Sequence, residues 1–122
     1  MKEIFKSKAI ENIKIAEIAY DNDCFNASAN RAYYAAFHAA IYALSSIGIE
    51  LRIDHKTVQS LFAVNFINRR KTFSSKFKGY LKELQEKRNI ADYKLTDISK
   101  KMAKQQLEKA KEFIDIILKG IK

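Results

Sequence analysis

Apolar residues recur along this chain at intervals of three and four, which predicts helices throughout. The first runs from about Ile4 to Tyr20, with Ile10, Ile13, Ala16 and Ile18 on its buried side and Lys6, Lys8, Lys14 and Glu17 in water. The polar turn Asp21 to Asp23 ends it. The second starts near Asn26 or Ser28, either of which suits an N-cap, and stops at Gly48. Asp54 is placed to cap a short third helix carrying Val58, Leu61, Phe62, Val64, Phe66 and Ile67, and the cluster Asn68 to Thr72 breaks its pattern. The fourth covers about Phe73 to Asp92, with Phe77, Tyr80, Leu81, Leu84 and Ile90 turned inward. After the link Tyr93 to Thr96, a fifth from about Asp97 to Ile121 repeats Met102, Leu107, Ala110, Phe113, Ile114 and Ile117 among lysines. Short connections between long helices predict an all-α, up-and-down helical bundle of four main helices plus one short helix.

The second helix departs from a simple amphipathic pattern. Between Asn30 and Leu44 it carries a small-residue ridge, Ala32, Ala36, Ala39 and Ala43, beside a bulky apolar face of Tyr33, Phe37, Ile41 and Leu44. A third face holds Arg31, Tyr34, His38, Tyr42 and Ser45 on an element too apolar to lie on the surface. Polar groups carried inward need partners, so this line must meet something polar. Two readings are open: a satisfied stripe at a helix or subunit interface, or the wall of a binding site with Arg31 and Tyr34 in it.

Composition narrows the class. The 122 residues, without internal repeat or low-complexity linker, predict one domain, residues 1–122, large enough for a core without disulfides or metal. The absence of proline and the presence of only three glycines favour long helices. A single cysteine, Cys24, allows no internal disulfide and no zinc cluster, and no charged-then-apolar leader opens the chain, so a cytoplasmic location, no metal and no cofactor are expected. The apolar run Ala32 to Ile49 is interrupted by His38, Ser45, Ser46 and Gly48 and falls short of a span of about 20 residues, so a buried helix and no membrane partner are expected. The net charge of +9 is uneven: residues 1–51 have five bases and six acids, 52–93 ten and four, and 94–122 eight and four. A polyanion would therefore dock on the second half.

Three segments together resemble the HEPN superfamily, more narrowly its small stand-alone archaeal and bacterial branch. They are NRAYYAAFHAA from Asn30 to Ala40, the turn Asp54, His55 and Lys56, and EKRNIADY from Glu86 to Tyr93. The likeness extends over nearly the whole chain, and the Asn30 to Ala40 block is its most specific part. It implies a four-to-five helix bundle, usually a homodimer, often paired with a minimal nucleotidyltransferase as toxin and antitoxin, with several members cutting RNA without a metal. The family signature is an arginine, commonly with a polar residue after it, and a histidine beyond four to six intervening positions, at a dimer cleft. On this chain the arginine falls on Arg88 and its follower on Asn89, but Tyr93, Lys94 and Leu95 occupy the histidine positions. Asp92 and Tyr93 stand where the acid-base group belongs. An imidazole with a pKa near about 6.5 suits that task, a tyrosine near about 10 does not, and Asp92 is the base that remains on this helix.

Arg31 and His38 also enclose six residues, on a different helix from the signature. If the second and fourth helices pack together, His38 would face Arg88 and Asp92 and replace the missing imidazole. The other reading is a structural His38 hydrogen-bonded within the bundle. His55 and Lys56 at the start of the third helix suit a phosphate, through helix-end amides and the lysine charge, or else form a wet cap. Arg69, Arg70 and Lys71 make the densest basic run, a nucleic-acid contact or a solvated loop. Three functions follow: an RNA-directed protein, either a metal-independent ribonuclease or a toxin-like component of a pair; a non-catalytic module binding a nucleotide or a partner protein after losing the histidine; and a purely structural Arg88–Asp92 ion pair within one helix, worth a few tenths of a kcal/mol.

Overall fold

The computed structural model describes residues 2–49, 54–70, 72–94 and 96–121; Lys71 of the basic run and Leu95 of the histidine positions lie outside them. Every regular element among the described residues is helical: α1 (Lys2–Asp21), α2 (Phe25–Ser46), α3 (His55–Phe62), α4 (Lys76–Tyr93) and α5 (Lys100–Gly120), with a π-helical stretch Ala63–Arg69 continuing α3. None of these helices is long and apolar enough to cross a membrane.

The spine is α2, which packs against each of the other four helices. Its alanine ridge is buried throughout, as are Tyr33, Phe37, Ile41 and Leu44. Small side chains let a neighbouring helix come close enough for backbone groups to interact, and Ser28 of α2 donates from Oγ to the Ala16 carbonyl of α1 at 2.8 Å. That close contact changes part of the expected inner face of α1, where Ala16 is buried and Ile13 packs on the core as expected. Ala9 and Ala16 lie inside, whereas Ile10 and Ile18 are 45% and 48% exposed. An interface lined by alanine has little room for branched side chains, so Ile10 and Ile18 turn outward.

Ser28 is therefore committed across helices and does not cap α2. Asn26 does not cap it either: its Oδ1 accepts from the Ile98 amide at 2.8 Å and its Nδ2 donates to Asp97 at 3.0 Å, tying the segment before α5 to the start of α2. Cys24 stands at the cap without a side-chain capping bond, its Sγ donating instead to the Asn22 carbonyl at 3.6 Å. At the other end the backbone turns at Gly48 with φ of 81°, a left-handed angle natural for glycine. Asp54 caps α3 as expected, accepting from the Thr57 amide at 2.9 Å. Ser99 caps α5, so that helix begins three residues later than its pattern predicts.

The third apolar run is not one regular helix. From Ala63 the turns widen to the π form, which shifts the register by about one residue and leaves Val64 42% exposed while Phe66 and Ile67 stay buried. Phe73 packs on Phe62 and Phe66 before α4 starts, so it is core without being helical.

Candidate functional site

Arg88 is the organising residue. It faces inward from α4 and is 6% exposed. Its guanidinium lies over the rings of Tyr33, Tyr34 and Tyr93 at 5.4, 5.5 and 5.6 Å, where the negative ring faces offset part of the loss of water. Nη1 donates to the Tyr93 hydroxyl at 3.2 Å and meets Asp92 Oδ2 at 3.6 Å. The intrahelical pair expected from the four-residue spacing is thus present, but around a buried arginine. Arg88 Nε is buried and has no hydrogen-bond partner. A buried, charged N–H left unmatched costs more than the ~1–3 kcal/mol of a neutral one.

A hydrogen-bonded relay leads from this pair across the molecule to α1. Asn30 Nδ2 donates to Asp92 Oδ2 at 2.9 Å, and Asn30 Oδ1 accepts from Arg31 Nε at 2.7 Å and from Nη2. Arg31 Nη1 donates to Asn12 Oδ1 at 3.0 Å. The order is dictated by chemistry: arginine only donates, an ionised aspartate only accepts, so the amide between them can satisfy both in one orientation. Arg31 also lies over the Tyr34 ring at 5.0 Å, so Tyr34 meets two guanidinium groups.

His55 closes the cluster from the start of α3. Its Nδ1 is hydrogen-bonded to the Tyr33 hydroxyl, and its ring packs on Phe37 at 4.6 Å. Burial lowers the His55 pKa, the Arg88 charge lowers it further, and Asp54 opposes them. The imidazole is therefore neutral at pH 7. The Tyr33 hydroxyl is held strongly protonated by burial, against the pull of Arg88.

Arg88, Asp92, Tyr93, Arg31, Tyr34 and His55 thus form one cluster. Asn89, the next residue on α4, is half-buried. His38 sits apart, stacked with Phe5 at 6.1 Å and beside Tyr34 and Phe37. Its Nδ1 is buried without a hydrogen bond, and burial, with the Lys8 and Arg31 charges, lowers its pKa to about 4. The charges that act on His38 are those of Lys8 and Arg31, whereas Arg88 acts on His55. Lys56 is exposed beside His55, and Arg69 and Arg70 are exposed at the end of the π stretch. Sequence reasoning missed Asn12 and Asn30 as members of the relay, and assigned Tyr33 to the core alone. Asn30 heads the specific block and carried a signal; Asn12 carried none. Among the described residues, no three His, Cys, Asp or Glu side chains converge as a metal site.

An all-helical fold with a buried arginine at its polar cluster is the class this geometry defines. A family model described as the HEPN domain matches residues 3–121, and the chain belongs to that family. It is 28% identical to a protein of Methanocaldococcus jannaschii named "Putative toxin MJ0605", over 93% of this chain and 84% of the other.

Proposed function

We propose that this chain is a single HEPN domain, an up-and-down bundle acting in the cytoplasm on RNA as the toxin-like component of a pair. Its partner in that pair is a minimal nucleotidyltransferase, and it works as a homodimer whose two Arg88 clusters share a cleft. The observation that carries the reading is Arg88 itself: a guanidinium fixed by Asp92, Tyr93 and three rings, with Nε unmatched. A guanidinium held in place by its neighbours suits a phosphodiester, whose extra negative charge in the cleavage transition state it stabilises. The likeness to an archaeal protein named as a toxin supports the biological role.

In metal-independent cleavage a base takes the proton of the 2′-hydroxyl, that oxygen attacks the adjacent phosphorus, and the bond to the 5′-oxygen breaks as the leaving oxygen gains a proton. His55 supplies the imidazole that the signature positions lack. It is neutral at pH 7, and Tyr33, which touches both its Nδ1 and the Arg88 guanidinium, holds it in the cluster. Asp92 accepts from Asn30 and pairs with Arg88, so its task is to position the guanidinium.

The test is digestion of a mixed RNA pool by the purified protein in EDTA. Cleavage is expected to fall by at least ~100-fold in Arg88→Ala and in His55→Ala, and to persist in His38→Phe. Binding by wild type without turnover would identify a module that binds RNA or a nucleotide and has lost catalysis. No effect of Arg88→Ala on either binding or cleavage would reduce the cluster to a structural ion pair.

A further inference from the structure

A groove of about 320 Å³ runs between α3 with its π-helical continuation and the first half of α4. Its polar lining is Lys56, Gln59 and Ser60 from α3, Asn68 from the π stretch, and Lys78 and Lys82 from α4. Three lysines thus line one trough, all exposed and none in an ion pair among the described residues. The nearest acid in sequence, Glu83, is turned toward α5 and held by Lys109. Three unpaired lysines lining one trough raise its positive potential, which an anion seated there would lower.

The groove joins the Arg88 cluster. Gln59 donates to Gln85 Oε1 at 2.5 Å, bridging α3 and α4 at the head of the trough, and the same Gln59 lies near enough to Tyr33 to draw its hydroxyl toward ionisation, against the effect of burial. Along α4, Lys78, Lys82, Gln85 and Asn89 follow at steps of four, three and four and so share one face, about 16 Å long. That face ends beside Arg88. The π stretch shapes the opposite wall, turning Val64 and Asn68 toward the trough where a regular helix would present other residues. Lysine charges at intervals, amide and hydroxyl groups between them and one exposed apolar side chain suit a strand with repeating phosphates and open base or ribose faces.

We propose that the groove seats the phosphate backbone of single-stranded RNA and leads it to Arg88, with Lys56, Lys78 and Lys82 as the phosphate contacts. The assignment rests on the reading of the Arg88 cluster as RNA-directed. The test is fluorescence anisotropy with a labelled mixed-sequence single-stranded RNA, titrated over a range of salt. It compares the full-length wild type, the triple variant Lys56→Gln, Lys78→Gln, Lys82→Gln, and a control with the same charge change on exposed α5 positions, Lys100→Gln, Lys101→Gln, Lys104→Gln. Circular dichroism verifies that each variant is folded. The groove triple is expected to weaken binding roughly tenfold or more, and to reduce the slope of log K against log salt by about 2, as loss of three single-strand phosphate contacts requires; the control changes the slope far less. Equal weakening by both triples, or binding by the groove triple equal to wild type, overturns the groove while leaving the RNA reading intact. No RNA binding by folded wild type overturns both.

Discussion

Arg88 shows what a functional group inside a core demands of its neighbours. Removing a guanidinium from water is unfavourable by several kcal/mol, and the aromatic faces, Tyr93 and Asp92 return only part of this while Nε stays unmatched. A hydrophobic residue of similar length at this position is therefore expected to leave stability unchanged or raise it by up to about 2 kcal/mol while abolishing RNA cleavage. Thermal unfolding of Arg88→Met, run beside the cleavage assay, checks both halves. A fall of more than about 10 °C in Tm would show that the cluster serves stability. His38 makes the opposite kind of prediction. Its folded pKa of about 4 lies below the ordinary 6.5, so above pH 6.5 both folded and unfolded forms are neutral and nothing is lost. As pH falls, the unfolded chain takes the proton first, and stability declines until the folded form also titrates near pH 4. Urea unfolding at pH 7 and 4.5 should differ by about 2 kcal/mol more in wild type than in His38→Phe.

At the level of elements, the interface of α1 with α2 governs how the domain closes. Ala16 is fully buried beside the Ser28 bond, so a larger side chain there must push the helices apart and break that bond. Ala16→Leu is expected to destabilise the domain by about 3 kcal/mol, measured by urea unfolding, whereas Ile18→Leu on the exposed face should change it by less than about 0.5 kcal/mol. This is also where the hydrophobic pattern misled. The period of α1 is helical, but Ile10 and Ile18 lie away from the face that holds Ala9, Ala16 and Ile13, and hydrophobicity alone favours them for the core. The deciding quantity was the gap between the helix axes, which α2 sets with its own alanine ridge. The π stretch was illegible for a similar reason. An apolar run of Val58 to Ile67 has the same composition whether its turns close over four residues or five, and Phe73 packing back on Phe62 and Phe66 belongs to the tertiary contacts that accompany the wider form.

For the whole molecule, charge and assembly are the open quantities. The surplus of ten bases over four acids in residues 52–93 includes the trough lysines and Arg88, which concentrates positive potential beside the cluster. Tyr93 is 72% exposed, so the proposed second copy would meet the Arg88 cluster from that side. Sedimentation equilibrium at micromolar concentration is expected to give a dimer, and a compact monomer would overturn the shared cleft. Sequence by itself determined the all-helical class, the cap at Asp54, the turn at Gly48 and the buried faces of α2, because each depends on local periodicity or on one residue's own chemistry, whereas Arg88 was picked out by the family resemblance of its segment. Tertiary structure decided which faces of α1 and the third run are buried, that Asn26 and Ser28 bind distant segments instead of capping, and that the relay from Asn12 to Asp92 exists. It also set His55, and not His38, under the charge of Arg88. These depend on distances between helices, and such distances follow from the packing of all side chains together, which no single stretch of sequence contains.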